Sequence, residues 1–186
     1  MPLTKTQGIE LIKLARQSIN SYLNKTSIKL TKEFKELYLK KQGLFVTLTL
    51  DGNLRGCIGY PEPVLPLYEA IIGAAQAAAF DDPRFPKLSK EEFKHLKIEI
   101  SVLTIPEHID VKKPEDYLKE IKIGKDGLII RSRFGSGLLL PQVFTEYKCT
   151  VEQALEMTCE KAGLSSEDWK NLENKLYKFQ AQIFSE

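Results

Sequence analysis

The stretch Leu54-Arg55-Gly56-Cys57-Ile58-Gly59 sets a thiol two residues from a guanidinium and flanks it with glycines. On a strand, Arg55, Cys57 and Gly59 fall on one face, with the first two about 7 Å apart at ~3.3 Å per residue. An arginine so placed lowers a thiol pKa or holds a carboxylate or phosphate bidentately. If it is buried, it needs a carboxylate partner from elsewhere in the chain. The same residue types also serve packing, because free cysteine is a common small core hydrophobe and strand glycines mark bulges or close backbone crossings. Residue types alone leave both readings open. A second cluster, Asp81-Asp82-Pro83-Arg84-Phe85-Pro86, sets two carboxylates beside an arginine where proline ends a helix. It reads either as a loop tied by its own salt bridge or as a substrate-facing corner.

Other chemistries find little material. The two histidines, His95 and His108, stand thirteen positions apart, with no C-x-x-C or H-x-x-x-H, so no metal site is expected. Phosphate-cradling glycine motifs are missing, and Gly135-Ser136-Gly137 reads as a tight hairpin turn. A net charge of +2 gives no general reason to expect nucleic acid or an anionic membrane. The lysines of 25–41 read as a solvated connector. No apolar run approaches the ~20 residues that span a bilayer, and no secretory signal precedes the three cysteines. Cys57, Cys149 and Cys159 are therefore expected as reduced thiols in a cytoplasm.

The elements that must position these groups follow from periodicity. Thr4–Leu23 reads as an amphipathic helix with a stripe of Ile9, Ile12, Ala15, Ile19, Tyr22 and Leu23. Leu44–Leu50 and Leu54–Tyr60 form a hairpin across Asp51-Gly52, a dipeptide suited to positive φ. Leu67–Phe80 is an alanine-rich helix packed on most sides. Ser89 and Thr150 open helices with capping boxes. Ile98–Val102 and Tyr177–Ile183 alternate as strands. Ile121–Ile123 and Leu128–Arg133 are expected to flank a hairpin turn at 124–127, and Leu138–Leu140 to make a short strand ended by Pro141. Cys159 is expected to be buried in its helix. Strands and helices mix without a βαβ rhythm, giving an α+β fold with an antiparallel sheet flanked by helices.

Taken together, the chain resembles the AMMECR-domain family. The resemblance rests on Leu54–Gly59, Asp82-Pro83-Arg84-Phe85, Ser101–Thr104, Leu138–Val143 and Cys159–Leu164, and it covers about residues 5–185. It implies one domain over residues 1–186, made of two unequal lobes built from non-contiguous segments, with a groove between them. It also implies an intracellular protein, with Memo-like and radical-SAM domains as prokaryotic associates. One departure is Asp81, where the family commonly has arginine. The resemblance brings no established reaction and no cofactor. Two functions of different class follow. In the first, the chain is a ligand- or protein-binding module whose groove is lined by the Leu54–Gly59 motif, with Arg55, Gly56, Gly59, Asp82, Arg84 and Gln142 as binding residues. Arg55, Asp82 and Arg84 then form one buried ion-pair network. In the second, Cys57 is a catalytic thiolate, and Gln142 donates a hydrogen bond to a carbonyl. No histidine or third group is placed to complete a triad.

Overall fold

A computed structural model describes residues 2–186. The chain falls into two unequal compact units, one running up to Leu103 and including Gln182–Glu186, the other Thr104–Ala181.

The first unit opens with α1 (Lys5–Asn24), whose Thr4 cap makes both bonds of a capping box with Gln7. Its buried face carries Leu11, Ile12, Leu14, Ala15, Ser18 and Ile19. The expected stripe is thereby rotated, because Ile9 and Tyr22 remain about half exposed. The lysine-rich connector holds one short helix, α2 (Lys32–Leu37), capped by Thr31. Strands β1 (Leu44–Leu50) and β2 (Asn53–Tyr60) close over Asp51 (φ 49°) and Gly52 (φ 80°), the pair of positive φ angles that this dipeptide tolerates. Helix α3 (Leu67–Phe80) buries Ala70, Ile71, Ala74, Ala75, Ala78 and Ala79. It packs against α1 on one side and against the β1–β2 hairpin on the other. Small side chains permit that double contact, and Gly56 takes it to the limit: a Cβ there would lie 2.1 Å from the Ala78 carbonyl oxygen. Helix α4 (Lys90–Phe93) follows a full Ser89/Glu92 capping box, and β3 (Lys97–Leu103) pairs antiparallel with β1. One hydrophobic core, including Leu11, Ile19, Val46, Leu48, Ile71 and Ile100, fills this unit.

The second unit contains β4 (Glu107–His108), α5 (Tyr117–Glu120), β5 (Asp126–Arg131), β6 (Ser136–Leu139), α6 (Pro141–Glu146) and α7 (Val151–Lys161). Strand β7 (Lys175–Ser185) begins here, and its residues from Gln182 onward belong to the first unit. β4 and β5 pair antiparallel with it, and β6 pairs antiparallel with β5. Three expectations change. The residues 121–123 form no strand, since Asp126 folds back on Lys122 through N–H to C=O and carboxylate bonds. The hairpin instead joins β5 to β6 across Ser132–Gly135. Pro141 starts α6 at its first position, where its missing N–H is no loss. His108 sits in β4, exposed and edge-on to Tyr177 at 5.3 Å. A separate core gathers Leu128, Ile130, Phe144, Leu155, Cys159 and Trp169. The fold is α+β with antiparallel strand pairing, as the sequence pattern predicts.

Candidate functional site

The hairpin does not keep perfect alternation. Pairing runs from Leu44↔Tyr60 to Leu48↔Gly56 and then steps to Thr49↔Leu54, which leaves Arg55 as the extra residue of a bulge. A bulge interrupts the two-residue period, and Arg55 and Gly56 are accordingly both buried. The shared face expected for Arg55 and Cys57 ends at this point. Arg55 sends Nε to Glu92 Oε1 at 2.7 Å and Nη2 to the Pro86 carbonyl at 2.8 Å. It makes no hydrogen bond to the thiol, and its Nη1 is buried without an acceptor.

Cys57 is opposite Thr47, with 3.2 Å between Sγ and Oγ1, and is half-buried. β2 is the edge of its sheet, so backbone groups pointing away from β1 need partners from outside the ladder. At Cys57 the Asp82 and Arg84 side chains supply them. Cys57 N–H donates to Asp82 Oδ2 at 2.9 Å, and its carbonyl accepts from Arg84 Nη2 at 3.3 Å. The two side chains thus stand in for the acceptor and donor of a missing neighbouring strand.

Local sequence builds this device. Asp82-Pro83-Arg84-Phe85 makes a β-turn, with Phe85 N–H donating to Asp82 O at 3.2 Å and proline at the position it favours. Within it, Asp82 Oδ1 accepts from Arg84 N–H at 3.1 Å, an Asx turn. The same carboxylate takes Arg84 Nε at 3.0 Å and Nη2 at 2.7 Å. Its side chain is 2% exposed, whereas that of Arg84 is 53% exposed. The Arg84 guanidinium, then the N–H groups of Cys57 and Arg84, hold Asp82 far below the usual carboxylate range against the opposing effect of burial. Asp82 in turn raises Arg84. Glu92 is drawn down to about 2, chiefly by Arg55, with further help from Ser89. The Phe85 ring lies 5.8 Å from the Arg55 guanidinium and 5.5 Å from that of Arg84, within cation–π range of both.

The single network expected of Arg55, Asp82 and Arg84 is therefore two separate pairs, Arg55–Glu92 and Arg84–Asp82. Gly56 meets α3, and a Cβ at Gly59 would lie 2.1 Å from the Leu44 carbonyl oxygen, so both glycines serve close backbone approach. Gln142 belongs to the second unit, on α6, with a buried Oε1 that has no hydrogen-bond partner. It takes no part in the Cys57 hydrogen bonds. Glu92, Phe85 and Thr47 are the neighbours that sequence reasoning missed. The Ser89-x-x-Glu92 box marked Glu92 as a helix cap, and only the demand of a buried arginine for a carboxylate pointed to its second role. Chemically, both site carboxylates are ionised and engaged, so neither is a free base. The thiol and the remaining Nη1 of Arg84 are the groups left for an outside molecule. Among the described residues no group of three His, Cys, Asp or Glu comes together as a metal site, and no helix is long and apolar enough to cross a membrane.

A family model described as AMMECR1 matches residues 12–184. A protein of Methanothermobacter thermautotrophicus is 46% identical, over 100% of this chain and 97% of its own. Protein MJ0810 of Methanocaldococcus jannaschii is 47% identical, over 99% of this chain and 92% of its own. The crystal structure of uncharacterized protein PH0010 from Pyrococcus horikoshii is similar, with a TM-score of 0.92 at 44% identity. That match covers 99% of this chain and 93% of that one.

Proposed function

The chain belongs to the AMMECR1 family, and we propose that it is a ligand- or protein-binding module that engages its partner through Arg84, held by the Asp82–Phe85 turn beside Cys57 of the Leu54–Gly59 strand. The observation behind this reading is the full engagement of Asp82, which accepts from Cys57 N–H and from three Arg84 donors. A carboxylate so committed orients a guanidinium; it does not take up protons. The half-exposed Arg84 offers its remaining N–H groups to an acceptor, with the thiol beside them. The module works in the reducing cytoplasm, a setting supported by three cysteines that stand as free thiols.

Cys57→Ser tests this. The substitution keeps the backbone bond to Asp82 and can keep the one to Thr47, so unfolding moves by less than about 1 kcal/mol. Partners recovered with the wild-type chain are retained. Loss of cellular function with fold and partners intact would overturn the binding reading. It would favour instead a thiolate in small-molecule or modification chemistry, shared with Memo-like or radical-SAM partners. One observation favours that second reading: Arg84 Nη2 donates to the Cys57 carbonyl at 3.3 Å, which sets a guanidinium beside the residue that carries the thiol. Alkylation rate against pH decides it, with Cys159, buried and pushed up to about 11, as the slow internal reference. A Cys57 thiol that titrates near the ordinary ~8.5, or stays unreachable, removes the nucleophile.

A further inference from the structure

The first unit carries a trough that shares no residue with the Cys57–Arg84 corner. One cavity of about 280 Å³ is lined by Glu10, Lys13, Leu14 and Gln17 of α1, and by Lys29, Leu30, Thr31 and Phe34. A second, of about 230 Å³, continues along Gln17, Asn20 and Ser21, opposite Thr26–Lys29. Gln17 and Lys29 line both, so the two cavities adjoin along one side of α1. Its α1 wall follows the three- and four-residue spacing of one helix face, about 16 Å from Glu10 to Ser21 at ~1.5 Å per residue.

The opposite wall is the segment Thr26–Thr31, every residue of which lines one cavity or the other. Side chains on a chain in regular alternation would not all face one way, so backbone forms part of that wall. Among the described residues, the N–H and C=O groups of Ser27, Ile28, Lys29 and Leu30 have no hydrogen-bond partner. Unpaired backbone of this kind is a template for an added strand. The charges have a sign. Lys13 and Lys29 stand exposed on the rim, while Glu10, the one carboxylate in the lining, accepts the Tyr38 hydroxyl at 2.5 Å. Leu14, Leu30 and Phe34 supply an apolar floor.

We propose that the trough seats an extended acidic segment of a partner protein. The segment pairs its backbone with Ser27–Leu30, sets carboxylates against Lys13 and Lys29, and lowers apolar side chains onto Leu14, Leu30 and Phe34. The test titrates the full chain with eight-residue synthetic peptides that alternate Asp or Glu with Leu or Val. Matched peptides carrying Lys in place of the acids, and glutarate as a free dicarboxylate, run beside them. Amide hydrogen exchange is followed by NMR. The acidic peptide binds, slows exchange at Ser27–Leu30, and weakens as salt is raised. Lys13→Glu with Lys29→Glu, two exposed positions that leave the fold intact by circular dichroism, lowers affinity about tenfold. Lys13→Arg with Lys29→Arg restores it. Binding without protection at Ser27–Leu30, equal binding of the Lys-bearing peptide, binding of glutarate alone, or no binding overturns the proposal.

Discussion

Asp82→Ala removes the acceptor that satisfies Cys57 N–H and Arg84 N–H at the edge of the first unit's sheet. Hydrogen bonds from backbone N–H to a buried carboxylate contribute roughly 1.5–3 kcal/mol each. The ion pair with Arg84 adds little, because that guanidinium is half in water and regains solvent when released. Partial hydration of an edge amide recovers some of the loss, which leaves about 3 kcal/mol of destabilisation. For a chain of this size that corresponds to a fall of roughly 6–12 °C in melting temperature. The dependence on acid carries a sign. Asp82 titrates below its ordinary range in the folded chain, so its contribution is complete above pH ~4 and fades as pH drops further. Wild type and variant should therefore differ fully at pH 7, and the gap should narrow progressively as pH falls below ~4. Chemical denaturation at several pH values reads the global effect, and hydrogen exchange at the Cys57 amide reads the local one. Asp81→Ala is the control, an exposed neighbour worth less than about 0.5 kcal/mol. Equal destabilisation by the two substitutions, or an unchanged Cys57 exchange rate in Asp82→Ala, would refute the edge-capping argument.

Glu92→Gln strips the charge that faces the buried Arg55, and should cost about 3 kcal/mol in denaturant unfolding at pH 7. Because Glu92 is drawn down to about 2, that loss is complete above pH 4.5 and shrinks as pH falls toward 2. Gly56→Ala forces a Cβ against the Ala78 carbonyl, and is expected to leave little soluble, folded chain by size-exclusion chromatography. Gly52→Ala meets nothing within 4 Å, but its φ of +80° strains any side chain, so about 1 kcal/mol is expected from thermal unfolding.

What was legible in the sequence was local. Asp51-Gly52 declares its own turn, the alanines of α3 declare a helix packed on most sides, and the Ser89 and Thr150 boxes each mark a helix start. The Arg55 bulge is different in kind. It depends on where β2 must meet β1 and on what covers Gly56, and nothing in Leu54–Gly59 alone shows that the period breaks. The pairing of Arg55 with Glu92 joins residues 37 positions apart, so it is settled by packing rather than by spacing. The second unit misled for a related reason. The glycines at 124 and 127 suggest a hairpin, but Asp126 binds Lys122 and carries the chain directly into β5. The α6 helix was hidden because a proline that ends a strand is equally fit to begin a helix.

Glu92 has two masters. Its Oε2 receives Ser89 N–H at the start of α4 and also lies 3.3 Å from Arg55 Nη2, while Oε1 receives Arg55 Nε. Unwinding one turn of α4 would withdraw the counter-ion from a cation on a strand far away in the chain. Fraying at that short helix cannot then remain a private event, and a four-residue element inherits the persistence of the sheet it serves.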